Sequence, residues 1–213
     1  MKWFVNGQPT DYTGGRVKDE IVKWINKRSG PPSRLLTAAQ LEETISSTNF
    51  LVAFIGKEGD EFKAFEAAAS TDDKRTFVHT FDTEAATTHG ISGSKIILFR
   101  KFDEPKVEYS GKYDSASINQ FILANVLPTV FEITEEYSEI VFQGRRNTLF
   151  LFRDPNNADQ KAIYEAYSKA ARELKGKVAF AVSGTTDRMQ KKVAEHVGGA
   201  SRPLPSLFLV DQA

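Results

Sequence analysis

Apolar residues along the chain switch between a period of two and a period near three and a half, and each switch marks a new element. Residues 2–5 alternate as a strand, Asn6-Gly7 is a hairpin signal, and a second short strand is predicted near Thr10-Asp11-Tyr12. A helix from about Arg16 to Lys27 should bury Ile21, Trp24 and Ile25. Ser29-Gly30-Pro31-Pro32-Ser33 cannot continue that helix and reads as a linker. After Leu35-Leu36, Thr37-Ala38-Ala39-Gln40 is a capping box that opens a helix with Leu41 and Ile45 inward. Phe50 to Ile55 is almost wholly apolar, as expected of a strand covered on both faces. A helix over 59–70 carries Phe62, Phe65 and Ala69 on one stripe. A strand at 76–78, a short helix at 83–88, a hairpin (95–99 with 107–109) and a helix ending near Asn125 follow. The order is β-α-β-α-β-α-β-β-α.

The same order then restarts. Val130-Phe131-Glu132-Ile133 reads as a strand, and Thr134 caps a helix through Phe142. A strand covers 149–152, and a helix over 158–175 should bury Ile163, Tyr167, Ala170 and Leu174. A strand over 178–182, a helix over 187–197 and a strand over 206–210 complete the run. The closing strand and helix are not expected within these residues.

A shorter pattern repeats as well. Tyr12-Thr13-Gly14 with Ile21, Trp24 and Ile25 returns as Tyr109-Ser110-Gly111 with Ile118, Phe121 and Ile122, each residue 97 positions on (109 − 12). A period near one hundred is too long for a solenoid unit and suits whole domains in tandem. The expected division is residues 1–30 as the end of one domain, 33–126 as a complete second, and 127–213 as a truncated third.

Composition narrows the chemistry. Twenty-eight basic residues balance 28 acidic ones, which leaves no net field for nucleic acid or an anionic membrane and no dense acidic store for calcium. No apolar run approaches the roughly 18 residues of a membrane span. The 213 residues contain no cysteine, which excludes disulfides, thiol catalysis and thiolate metal sites within them. Met1-Lys2-Trp3-Phe4-Val5 runs straight into a turn rather than a signal peptide, and the end at Asp211-Gln212-Ala213 directly follows a strand, so a fragment is expected at both ends.

The element order, a parallel half followed by an antiparallel hairpin and a terminal helix, resembles the thioredoxin fold. Three consecutive copies resemble the protein disulfide isomerase family, whose domains run a-b-b′-a′. Lys2-Trp3-Phe4, Tyr12-Thr13-Gly14-Gly15-Arg16 and Ile21-Val22-Lys23-Trp24 look like the end of an a domain, and Gly30-Pro31 like the junction that follows. Ile97-Leu98-Phe99-Arg100-Lys101-Phe102-Asp103-Glu104 is similar to the fourth strand of b, and Leu127-Pro128 with Glu132-Ile133-Thr134-Glu135 to the start of b′. The resemblance implies an α/β fold of tandem thioredoxin-like domains that are redox-inactive, since the loops at 55–60 and 153–157 stand where a catalytic domain carries Cys-x-x-Cys and supply no thiolate. It also implies an endoplasmic reticulum lumen location and a parent enzyme that is a thiol-disulfide oxidoreductase and isomerase.

Candidate sites follow from the resemblance. The family's main site for unfolded polypeptide is an apolar pocket between the first and third helices of b′. The matching positions are Ile140, Phe142, Phe150, Met189 and Val193, each of which is equally a core residue by its pattern. Pro205 holds the place of the family's cis-proline, while the b unit has Gly93-Ser94 there. Tyr12 and Tyr109 read as structural. His79, His89 and His196 lie on different elements without metal spacing, Asp72-Asp73 and Glu135-Glu136 read as solvated charge, and Ser92-Gly93-Ser94 and Gly198-Gly199-Ala200-Ser201 read as loops, so no cofactor is expected. The expected partners are unfolded or misfolded polypeptide clients. The alternatives are a docking module for a lectin chaperone or a hydroxylase subunit, using Arg145-Arg146 and Lys191-Lys192, and a calsequestrin-like calcium-binding protein.

Overall fold

The computed structural model describes residues 1–5, 7–12, 14–72 and 74–211, without the side chains of Val5, Lys23, Asn26 and Lys27. Asn6 of the hairpin signal, Thr13 of the repeat, the Lys23 side chain of the a-domain resemblance, Asp73, and Gln212-Ala213 lie outside the described residues. Two compact units divide the chain, Met1–Phe121 and Ile122–Ala213.

The first unit opens with a hairpin, β1 (Lys2–Val5) antiparallel to β2 (Gln8–Asp11), with Val5 paired to Gln8. Gly7 sits at φ +78°, a conformation that only glycine adopts without strain. Helix α1 (Lys18–Ser29) places Trp24 on this hairpin, edge-on to Trp3 at 5.5 Å and tilted on Tyr12 at 4.7 Å. Trp24 is buried, whereas Ile25, expected to be buried beside it, is 37% exposed. A two-stranded ribbon is wide enough to cover one stripe of a helix and leaves the next residue in solvent.

The rest of the unit is a five-stranded sheet in the order β3-β5-β4-β6-β7, formed by β3 (Arg34–Leu35), β4 (Phe50–Ile55), β5 (Thr76–Thr80), β6 (Lys95–Arg100) and β7 (Lys106–Glu108). Strands β3, β5 and β4 are parallel, and β6 and β7 continue the sheet antiparallel. Leu51 to Ile55 in β4 have no solvent exposure, which matches the apolar run. Helices α2 (Ala38–Ser47), α3 (Asp60–Thr71), α4 (Thr83–His89) and α5 (Ser115–Asn125) flank or follow it, and α5 crosses the division between the units. The Thr37/Gln40 capping box is present in both directions, at 3.3 and 3.0 Å. Arg100 is buried and closes the β6–β7 hairpin by donating from Nε to the Glu104 carbonyl at 2.7 Å.

The second unit repeats the first four strands of that order. Strands β8 (Phe131–Glu132), β9 (Thr148–Phe152), β10 (Ala179–Ser183) and β11 (Ser206–Val210) are arranged β11-β9-β10-β8, with β8, β10 and β9 parallel and β11 antiparallel to β9. Helices α6 (Glu135–Gln143), α7 (Lys161–Glu173) and α8 (Arg188–His196) complete it. The helix predicted over 158–175 is shorter at both ends. Asn157 caps a separate 3-10 turn at Ala158–Gln160 by accepting from the Asp159 amide at 2.9 Å, and α7 ends ahead of Gly176 at φ +85°. Leu174 therefore falls past the last helical turn and is 39% exposed rather than buried.

The repeated motif folds the same way twice. The Tyr12 hydroxyl donates to the Gly15 carbonyl at 2.5 Å, and the Tyr109 hydroxyl to the Lys112 carbonyl at 2.5 Å. Twelve residues after each tyrosine an aromatic ring packs on it, Trp24 on Tyr12 and Phe121 on Tyr109 at 5.0 Å. The glycine two residues on is required in both, because a Cβ would meet the tyrosine hydroxyl at 2.5 Å from Gly14 and 2.6 Å from Gly111. Gly111→Ala should therefore displace the Tyr109 ring and cost about 1–3 kcal/mol, the usual range for overpacking. Urea unfolding of the variant checks this, and a change below about 0.5 kcal/mol would show that the ring shifts freely.

Candidate functional site

Helices α6 and α8 of the second unit carry the residues expected to hold a client. Thr134 caps α6 by accepting from the Tyr137 amide at 3.2 Å, and Asp187 with Gln190 forms a reciprocal capping box on α8. Met189, Val193 and His196 are spaced i, i+4, i+7 and share one face of α8. The five predicted residues separate into two classes. Phe150 (0% exposed) and Val193 (5%) are core, whereas Ile140, Phe142 and Met189 are half-buried and retain surface a ligand can reach.

Phe142 joins the two classes. Its ring stacks on Phe150 at 6.0 Å with the planes 14° apart, and meets His196 edge-on at 4.9 Å. Behind it the stack continues from Phe150 to Phe152 at 6.1 Å, then turns edge-on to Phe208 at 5.8 Å. Gly199 closes the far end, since a Cβ there would sit 3.1 Å from both the Phe152 and Phe208 rings. Sequence reading missed Phe152, Phe208, His196 and Gly199 as members of this layer. The spacing of Phe150 and Phe152 at i and i+2, on one face of β9, was the signal available for the second ring. Phe208 joins only through the antiparallel register that pairs it with Phe150.

The opposite face of β9 is a separate packed layer of Leu151, Tyr167, Phe180 and Val182. Burial raises the Tyr167 pKa, and its hydroxyl bridges both central strands, 2.5 Å from the Leu149 carbonyl and 2.8 Å from that of Ala181. This layer is closed at its centre, although Leu149, Tyr164 and Val178 at its margin are only half-buried and Leu207 and Leu209 on β11 are exposed.

The two loops that stand in the Cys-x-x-Cys place are differently built. In the first unit Gly56 packs so tightly on Ser94 that a Cβ would lie 2.6 Å from the Ser94 Cα, and the Ser94 hydroxyl accepts from the Lys57 amide at 3.2 Å. In the second, the Arg153 guanidinium lies over the Tyr164 ring at 4.5 Å and 3.8 Å from Glu132, and Asp154 is held by Gln160 at 2.9 Å. The Leu204–Pro205 peptide bond is cis. Among the described residues no three His, Asp or Glu side chains converge as a metal site requires, and no helix is long and apolar enough to cross a membrane.

The basic pairs do not form one patch. Arg145 and Arg146 line a cavity together with Lys175 and Lys177, whereas Lys191 and Lys192 lie on the exposed side of α8 and do not reach it.

Comparison with known proteins extends this picture. The family description of a thioredoxin-like domain matches residues 54–213. Protein disulfide-isomerase of Gallus gallus is 30% identical over 217 residues, covering 99% of this chain and 42% of the relative. That of Oryctolagus cuniculus is also 30% identical, with 99% and 43% covered. The chain thus spans about two fifths of these relatives. Among solved structures, the bb fragment of ERp72 matches with a TM-score of 0.59 at 16% identity over 86% of each chain. Zinc-bound human ERp44 matches with a TM-score of 0.56 at 21% identity over 97% of this chain and 62% of that one. At such identities these structures speak for the fold.

Proposed function

This chain belongs to the thioredoxin-like family, among the protein disulfide isomerases, and from that premise we propose that it is a non-catalytic stretch that holds unfolded polypeptide by apolar contact. Residues 1–30 are the end of an a domain, 33–126 a b domain that sets reach, and 127–213 a b′ domain that binds the client. The client is an unfolded or misfolded secretory chain in the endoplasmic reticulum lumen. Cysteine motifs elsewhere in the parent act on it, while these residues, which have no thiol, supply only the grip.

The observation that carries this reading is the half-buried Phe142, braced from behind by the buried Phe150 and met edge-on by His196, with Ile140 on α6 and Met189 on α8 also half-buried. An aromatic ring already fixed by stacking loses little freedom when a client covers it, so most of the burial energy reaches binding. Burial at roughly 25 cal/mol per Å² depends on area rather than on client sequence, as a site for many clients requires.

The test is titration with an unfolded, cysteine-free peptide at low and high salt. Wild type should bind in the micromolar range at both. Phe142→Ala, which removes about 1 kcal/mol of apolar contact, should weaken binding roughly fivefold with the fold intact by circular dichroism. Binding that collapses in high salt, or that Phe142→Ala leaves unchanged, would sink the assignment.

A further inference from the structure

The second unit contains a cavity of about 360 Å³, large enough for a pair of acidic side chains, at the end of the sheet where α6 and α7 stop. Its wall includes Arg145, Arg146, Lys175 and Lys177 and no aspartate or glutamate among the described residues. In a chain whose basic and acidic residues balance 28 to 28, a wall of one sign is a local arrangement rather than a reflection of composition. Leu127 and Val178 line it too, while Arg145 and Lys177 are exposed to solvent at its mouth.

Three helices, α5, α6 and α7, end at this cavity by their C-termini, and each such end carries a partial charge of about −0.5. Arg146 answers one of these ends by donating to the Leu123 carbonyl near the end of α5, and Arg145 and Lys177, both exposed, stand on the same wall.

The backbone supplies a second, independent sign. Arg145 sits at φ +47°, the left-handed position after a helix end that glycine normally takes. The end is a Schellman arrangement, with the Arg145 amide on the Phe142 carbonyl at 3.4 Å and the Arg146 amide on the Val141 carbonyl at 3.0 Å. Gly144, one residue earlier, is in ordinary right-handed geometry. Gly144 is needed where it stands, since a Cβ there would meet the Ile140 carbonyl oxygen, and the left-handed position falls to an arginine on the cavity wall.

We propose that this cavity is a binding site for a carboxylate-rich peptide segment, distinct from the apolar face around Phe142. Long basic side chains on two separate loops suit carboxylates spaced along a polypeptide, with arginine able to take each one bidentately.

The experiment titrates the whole chain with hexaglutamate, which has no apolar side chain to engage the Phe142 face, and in parallel with inorganic pyrophosphate. Hexaglutamate should bind at 50 mM salt and weaken about tenfold by 200 mM. Arg145→Gly/Lys177→Gln should weaken it tenfold or more, whereas Lys191→Gln/Lys192→Gln, outside the cavity, should change it less than twofold. Arg145→Gly alone should raise Tm by about 2–5 °C by relieving the backbone while still losing affinity. Equal loss from the two double variants, salt-independent binding, no binding, or pyrophosphate binding as tightly as the peptide would each overturn the proposal. A fall in Tm for Arg145→Gly would do so too, because the arginine would then serve the helix end rather than a ligand.

Discussion

Phe150→Ala should lower the stability of residues 122–213 by about 3–5 kcal/mol, while Phe142→Ala, one ring further out in the same stack, should cost much less. Phe150 has no solvent exposure and lies between two rings, Phe142 at 6.0 Å and Phe152 at 6.1 Å. Truncation there removes the transfer free energy of a whole ring and leaves a cavity that two stacked neighbours and a β-strand cannot close. Phe142 is half-buried, so solvent fills the space its ring vacates and the cavity cost largely vanishes. The pair separates holding the fold from holding a client, and client-binding loss in Phe150→Ala is expected to follow unfolding. Urea unfolding of both variants, followed by circular dichroism, makes the measurement. Equal costs would mean that the stack is not graded from core to surface, and Phe142 would then be a packing residue.

Ser33→Ala should cost about 2–3 kcal/mol, a large loss for one hydroxyl. Ser33 is buried, and its hydroxyl donates to the Glu66 carboxylate through a short hydrogen bond while standing 2.6 Å from His79 Nδ1. A hydroxyl has one hydrogen, so with that hydrogen on Glu66 the imidazole must donate from Nδ1 to the Ser33 oxygen. Removing the oxygen strands a buried ring N–H and a carboxylate together, and each unsatisfied group costs about 1–3 kcal/mol.

The same site carries a pH dependence. Burial between the Phe62 and Phe81 rings, at 4.7 and 5.2 Å, lowers the His79 pKa from 6.5, and the Glu66 and Glu58 charges only partly oppose that. The folded chain therefore binds fewer protons here than the unfolded chain once the pH falls below about 6.5. Stability from this residue should be full above that pH and decline as the pH drops toward the lowered folded pKa. Unfolding free energies at pH 5, 6, 7 and 8 check the sign, and His79→Gln should flatten the profile between 5 and 7. A slope there that survives in His79→Gln belongs to other groups.

Much of the architecture was legible because it rests on local physics. The Phe50–Ile55 run reads as a strand covered on both faces, and the Thr37/Gln40 box starts a helix through contacts that span three residues. The 97-residue repeat held down to a hydroxyl and its acceptor, since a tyrosine, a glycine and a ring twelve residues on are close enough in the chain to specify one another. The absence of thiol chemistry needed no structure at all.

Tertiary structure alone decided what pattern cannot encode. Period places Phe142 and Phe150 equally inward, and only the packing of α6 and α8 on β9 leaves one half-exposed and the other sealed. Ser33, Glu66 and His79 form one network although up to 46 residues separate them, because β3 and α3 meet β5 in space. Arg145 and Lys177 share a wall for the same reason, and the left-handed backbone that aims Arg145 there is set by how α6 ends. Residue type and spacing determine which elements form and which faces are apolar. Exposure, buried polar partners and one-signed cavities depend on which distant elements cover those faces, and that is settled only when the whole chain packs.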